Sequence, residues 1–230
     1  MVEFRGVSKL YVPRAGGPVI RALTEASFQV AQGEVVVLAG PAGAGKSTVL
    51  RLVAGEERPS QGRLLVDGED VGALGRRGVA RLRRRLGVVS QEPRLLGDHT
   101  VFGNVALVLR ALGAPLREAR ARAREALREA GLAGRANAFP GELTAAERRR
   151  LALARALAGG PRLLLVDEPT AGLDATATAG IVELLRGARA RGTTVLVATQ
   201  ADGLARALGA RTLVLGDGRL RDGPPGDGAA

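Results

Sequence analysis

One octapeptide, Gly40-Pro-Ala-Gly-Ala-Gly45-Lys46-Ser47, separates a nearly continuous apolar run, Glu34–Ala39 (EVVVLA), from an apolar-periodic stretch, Ser47–Ala54. Its spacing is G-x-x-x-x-G-K-[ST], and a buried strand before it with a helix after it is the setting in which that pattern wraps phosphate. A strand apolar at almost every position has to be covered on both faces, which points to a parallel sheet flanked by helices. The glycines let backbone N–H groups converge on phosphate oxygens, and the helix adds its positive N-terminal end. Residues Gly40, Pro41, Ala42, Gly43, Ala44 and Gly45, with Lys46, Ser47 and Thr48 at the helix start, are therefore the predicted nucleotide cradle. Lys46 is expected to reach the β and γ phosphates of ATP and Ser47 to ligate Mg²⁺. The chain writes 32 of its 34 cations as arginine, yet this position holds one of its two lysines. A compact ammonium fits such a cradle where a planar guanidinium does not.

Around this centre the pattern alternates strands and helices, the mark of an α/β fold. Short strands are predicted at Val2–Phe4, Ile20–Leu23 and Ser27–Val30, with a Gly16-Gly17-Pro18 turn between the first two. Further strands are expected at Leu86–Ser90, Leu163–Val166 and Thr193–Thr199. Helical spacing marks Val101–Leu112, Leu116–Ala130, Ala145–Ala158 and Ala175–Arg189. In Leu116–Ala130 the apolar stripe is Leu116, Ala119, Ala123, Leu127 and Ala130. From about Leu95 to Gly160 no strand is evident, and the segment reads as a helical insertion between two strands of one sheet. Leu213–Leu220 reads as a hairpin with a Gly-Asp-Gly turn, and Asp222–Ala230 as a disordered Pro/Gly-rich tail.

A second chemical cluster follows the strand Leu163–Val166. Asp167 is placed to hold Mg²⁺ through water, and Glu168 to act as general base on the attacking water. Gln91, just past another strand, is placed to offer an amide oxygen to the metal or to that water.

Together these residues resemble the ABC-transporter ATPase family. The cradle, Gln91, Glu142–Leu157, LLLVDEPT (Leu163–Thr170) and Ala171-Gly-Leu-Asp174 occur in that family's order, over about Val2 to Leu220. The resemblance implies a P-loop NTPase fold of ABC-ATPase type, a single domain over residues 1–220. Its core would be a mainly parallel sheet with an N-terminal antiparallel β part and the helical insertion at about 95–160. It also implies an adenine-stacking role for Tyr11, 35 residues before Lys46, with a core or surface role as the alternative. The stretches GVSKLY (Gly6–Tyr11), ERPSQGRLLVDGEDV (Glu57–Val71) and LRRRLGVVSQEPRLLGDHTVFGNVAL (Leu82–Leu107) are most similar to the branch serving bacterial cell division. Related exporter ATPases share much of the same text.

Two positions depart from the family pattern. The family's L-S-G-G-E/Q signature, presented by one subunit to its partner's ATP, is here Leu143-Thr144-Ala145-Ala146-Glu147. Thr144 keeps a hydroxyl, but each added Cβ intrudes on close backbone approach. The histidine that usually follows the strand Thr193–Thr199 is here Gln200, which can donate an amide hydrogen bond but cannot carry charge. ATP–Mg²⁺ binding with slowed hydrolysis is the expectation, and a largely non-hydrolytic ATP-gated docking module is the alternative.

A signature acting in trans implies a head-to-tail dimer of two copies, with Asp174 near the seam, as N-cap of the following helix, or both. Motion would pass to an integral membrane subunit docked near Gln91 and the helical insertion. No apolar run approaches the roughly 20 residues of a membrane helix, and no secretory leader pattern opens the chain. The expected location is therefore cytoplasmic, peripheral on the inner face of the plasma membrane through that partner. The net charge of +11 invites a polyanion, but 2% aromatic residues argue against a base-stacking module for single strands or RNA, and nucleic acid is not an expected partner. Absence of cysteine excludes disulfides, thiolate metal sites and a cysteine nucleophile. The basic clusters Arg81–Arg85 and Arg148–Arg150 read as solvated helix faces or as a docking surface, and His99 as a solvated or capping residue.

Overall fold

A computed structural model describes residues 1–13, 17–201 and 203–223. Among them a six-stranded sheet carries the apolar runs. It contains β3 (Val35–Ala39), β6 (Leu86–Val89), β7 (Leu163–Asp167), β8 (Thr194–Thr199), β9 (Arg211–Gly216) and β10 (Arg219–Asp222), in the order β10-β9-β3-β8-β7-β6. The pairs β3–β8, β3–β9, β7–β8 and β6–β7 are parallel, and β9–β10 is an antiparallel hairpin. Alternate residues of β3, β7 and β8 enter different cores. Val35, Val37, Leu164, Val166, Val195 and Val197 face one, and Val36, Leu38, Leu163, Leu165, Leu196 and Ala198 face the other. This double burial is the reason the strands read as unbroken apolar runs.

The first core is closed by α3 (Val101–Ala111), α4 (Leu116–Glu129), α5 (Ala145–Leu157), α6 (Ala175–Ala190) and α7 (Leu204–Leu208). The second is closed by α1 (Lys46–Val53) and a four-stranded antiparallel sheet, order β2-β1-β4-β5. That sheet is built from β1 (Val2–Tyr11), β2 (Ile20–Val30), β4 (Gln61–Val66) and β5 (Glu69–Asp70). Leu82 of α2 (Arg76–Arg83) inserts into the same core.

Several expectations need correction. The short N-terminal strands are longer than predicted: β1 runs to Tyr11, and one bulged strand replaces Ile20–Leu23 and Ser27–Val30. The predicted turn Gly16-Gly17-Pro18 lies partly outside the described residues, as does the tail from residue 224. Asp222, assigned to that tail, closes β10 and pairs with Leu213. The intervening turn has Asp217 and Gly218 at φ 47° and 72°, the paired left-handed residues of a two-residue hairpin. In α4, Leu116, the first residue of the helix, is 53% exposed and lies outside the buried stripe, which Ala126 joins.

Candidate nucleotide-binding site

Because β3, β6, β7 and β8 run parallel, their C-terminal ends share one edge of the sheet, where open α/β sheets bind ligands. The cradle leaves the end of β3, Gln91 follows β6, Asp167 and Glu168 end β7, and Gln200 follows β8. Pro41, Ala42 and Gly43 are exposed, Ala44 and Thr48 are buried, and Gly40, Gly45 and Ser47 lie between. Gly45 is the N-cap of α1 and supplies no side-chain acceptor, so the first N–H groups of this helix keep no capping partner. By contrast, α3, α5 and α6 are capped by Thr100, Thr144 and Asp174.

Lys46 is only 6% exposed. Its Nζ donates to the carbonyls of Gly40 at 2.6 Å and Pro41 at 2.9 Å, and stands 3.8 Å from Glu168 Oε1. The other oxygen of Glu168, Oε2, accepts from Thr199 Oγ1 and from the Gln200 backbone N–H, each at 3.2 Å. The carboxylate is thus fixed between the ends of β7 and β8 and the start of α1. Gln200 takes part through its amide backbone while its side chain is exposed, which sequence alone did not distinguish.

Ser47, Gln91 and Asp167 meet in a cleft of about 300 Å³ beside α1, also lined by Arg51 and Pro93. Asp167 Oδ1 is buried with no hydrogen-bond partner. Burial pushes the Asp167 carboxyl above the usual range; the Ser47 hydrogen bond opposes that rise, the Glu168 charge adds to it, and Arg51 and Lys46 work against it. A hydroxyl, an amide oxygen and a carboxylate are hard oxygen donors of the kind Mg²⁺ takes alongside substrate phosphates, and the orphaned Oδ1 is an unmet acceptor in the right place. Among the described residues no three acidic or histidine side chains form a metal cage of their own.

Tyr11 stands beside Thr48, its hydroxyl donating to Glu57 Oε2 at 2.6 Å and lying 3.4 Å from Thr48 Oγ1, with the Lys9 ammonium 5.0 Å from the ring centre. Burial raises the Tyr11 phenol above its ordinary value, and the Glu57 contact adds to this. An unfolded tyrosine ionises near pH 10, at about the value of a free phenol. The contribution of Tyr11 to stability is therefore complete below that pH and lost as pH rises through its higher folded value. Tyr11→Phe is expected to flatten this alkaline fall in urea-unfolding curves taken between about pH 8 and 11. A phenol titrating at its ordinary value in the folded protein would contradict the assignment.

Thr144–Glu147 sit elsewhere: none of the residues lining the Asp167 cleft comes from α5. Thr144 Oγ1 accepts from the Glu147 N–H at 3.2 Å, Glu147 Oε2 accepts from the Thr144 N–H at 2.8 Å, and Arg135 pairs with Glu147 at 3.1 Å. This closed capping box leaves the threonine hydroxyl proton free to donate. Ala145 is exposed and Ala146 half-buried. Asp174 caps α6, accepting from the Ala177 N–H at 2.7 Å. His99 pairs with Asp98 at 2.9 Å.

The arginine cluster 148–150 is not a solvated face. All three residues are half-buried, and their guanidinium groups donate to the carbonyls of Leu143, Glu168 and Ala130 respectively. Arg83 likewise holds Ala54 and Gly55, whereas Arg81 and Arg85 pair with Glu69. Charge runs on a helix read as solvent-facing because the sequence does not show which carbonyls lie within reach of a long side chain.

Comparison with known proteins agrees with this geometry. A family model described as "ABC transporter" matches residues 23–171. The chain belongs to the ABC transporter ATPase family. This ABC ATPase is 41% identical over 223 residues to the cell division ATP-binding protein FtsE of Escherichia coli strain K12, covering 97% of the chain and 98% of FtsE. It is 42% identical over 220 residues to the methionine import ATP-binding protein MetN of Rhizobium meliloti, covering 95% of the chain and spanning 62% of MetN. Among solved structures it resembles the dimeric, post-hydrolysis ATP-binding cassette MJ0796 bound to ADP and Pi, with a TM-score of 0.89, 32% identity, and coverage of 96% of this chain and 98% of that one. No helix among the described residues is long and apolar enough to cross a membrane.

Proposed function

We propose that this chain is the ATP-binding subunit of an ABC complex and that it hydrolyses ATP slowly to drive an integral membrane partner. The observation that carries this reading is the meeting of Lys46, Thr199 and the Gln200 N–H around the Glu168 carboxylate. Lys46 would offset charge on the β and γ phosphates as the bridging P–O bond breaks. Glu168 would accept a proton from the water whose oxygen bonds to the γ phosphorus, with ADP as the leaving group. Mg²⁺, which screens phosphate charge, would be held by Ser47, Gln91 and Asp167. Tyr11 would stack on adenine. Thr144, Ala145, Ala146 and Glu147 would face the ATP of a second, head-to-tail copy, with Asp174 near the seam.

The partner we favour is an FtsX-like subunit at the inner face of the plasma membrane, in cell division and cell-wall remodelling, with this chain cytoplasmic. Support comes from the stretches Gly6–Tyr11, Glu57–Val71 and Leu82–Leu107 together with the likeness to FtsE. An import or export complex is the second reading, favoured by the equal likeness to MetN. Co-purification with a four-span membrane protein supports the first; selective capture of an importer's membrane subunit overturns it.

Slow turnover follows from Ala145, Ala146 and Gln200. Loss of one hydrogen bond to developing charge costs about 10²–10³ in rate. Ala145→Gly, Ala146→Gly and Gln200→His together are expected to raise steady-state ATP turnover by about 10²-fold. A combined variant no faster than the parent removes the claim of impairment.

A further inference from the structure

Glu168 holds a backbone conformation that needs support. Its φ is +46°, in the left-handed region that side chains other than glycine seldom occupy, and Pro169 follows it. A residue before proline is pushed toward extended conformations, so two local preferences oppose the observed one. Such positions persist where surrounding groups over-determine them.

The surrounding groups can be named. The Glu168 N–H donates to the Ala198 carbonyl at 2.8 Å, and its carboxylate is held by Thr199 and the Gln200 N–H. Its own carbonyl accepts from Arg149 Nη1 and, at 3.4 Å, from the Ala171 N–H. Arg149 reaches it from α5, a helix whose first turn contains Ala145 and Ala146. The guanidinium is half-buried and its Nε–H has no partner. A buried unpaired donor on a charged group is costly and needs a compensating role.

We propose that Arg149 is a positioning residue for hydrolysis: by holding the Glu168 carbonyl it keeps Glu168 left-handed, with its carboxylate facing Lys46, Thr199 and the Gln200 amide. This rests on the reading of Glu168 as general base. Burial lowers the basicity of Arg149 and the Glu168 charge opposes that, but a guanidinium stays protonated throughout the working range. The positioning therefore does not switch with pH.

The test compares Arg149→Met, which keeps length and removes every donor, with Arg149→Lys, which keeps a cation. Neither touches the cradle, so affinity for ATP is expected to stay within about twofold of the parent while kcat falls about 10²-fold in Arg149→Met, the scale of a misplaced catalytic group, and less in Arg149→Lys. Amide hydrogen exchange is expected to rise at residues 168–173 and to stay unchanged in β7. Parental kcat in either variant overturns the proposal, as does lost turnover without added exchange at 168–173, or with exchange raised throughout α5 and β7. If the parent itself shows no turnover, the hydrolytic reading fails, and the exchange measurement alone still decides whether Arg149 holds Glu168.

Discussion

Gly45→Ala is expected to destabilise the fold by more than about 3 kcal/mol, a loss of roughly 10 °C in thermal midpoint for a chain of this size. A Cβ at Gly45 would stand 2.3 Å from the Ala22 carbonyl oxygen of β2, at a φ of +104° that an alanine resists. Neither the strand backbone nor the loop can yield without moving the other. Gly43→Ala is the control: φ there is +75°, but nothing lies within 4 Å of the added carbon, so only the backbone preference is lost, about 1 kcal/mol. The two variants resemble each other in sequence and differ in what their backbones touch. Equal losses in urea or thermal unfolding would show that the loop is not seated against β2 as described.

The second large effect is at Lys46. Lys46→Ala is expected to weaken ATP binding by at least about 10²-fold, the equivalent of about 2.7 kcal/mol for charge-assisted hydrogen bonds that alanine cannot make. It also strands Glu168, whose Oε1 has its cation 3.8 Å away in a setting where both side chains are nearly buried. Removing one member of such a pair leaves an uncompensated charge, so a fall in stability accompanies the fall in affinity. Lys46→Arg is expected to rescue stability better than affinity, since a planar fork keeps the charge but does not fit the two carbonyls the ammonium bridges. Equilibrium binding of labelled ATP with magnesium measures the first effect, and denaturant unfolding the second. Unchanged affinity in Lys46→Ala removes the proposed site.

What could be read from the sequence was whatever local pattern enforces. The runs at 34–39 and 163–166 signalled buried strands because two cores claim their alternate residues. The cradle was legible because its glycines and lysine are needed whatever surrounds them. The antiparallel strand β4 (QGRLLV) was missed: its first three residues are exposed and only Leu64 and Val66 are buried, too short a pattern to stand out. Arg148–Arg150 were misread for a different reason. Their partners are carbonyls 5 to 20 residues away, and carbonyls carry no sequence signal. Gln200 was located correctly at the end of β8, but its contact with Glu168 runs through the main chain, which every residue except proline could supply.

The same habit of resting guanidinium groups on carbonyls bears on how this molecule meets alkali. Arg83, Arg122, Arg149, Arg155 and Arg186 all fasten one segment to another in this way, and guanidinium is the side-chain cation that keeps its charge furthest into alkali. With two lysines, one tyrosine and no cysteine in the chain, few side chains are left to discharge between neutrality and strong base. Alkaline unfolding should therefore begin where the buried Tyr11 phenol ionises, at the end of β1 within the antiparallel sheet, leaving the arginine ties as the last to slacken.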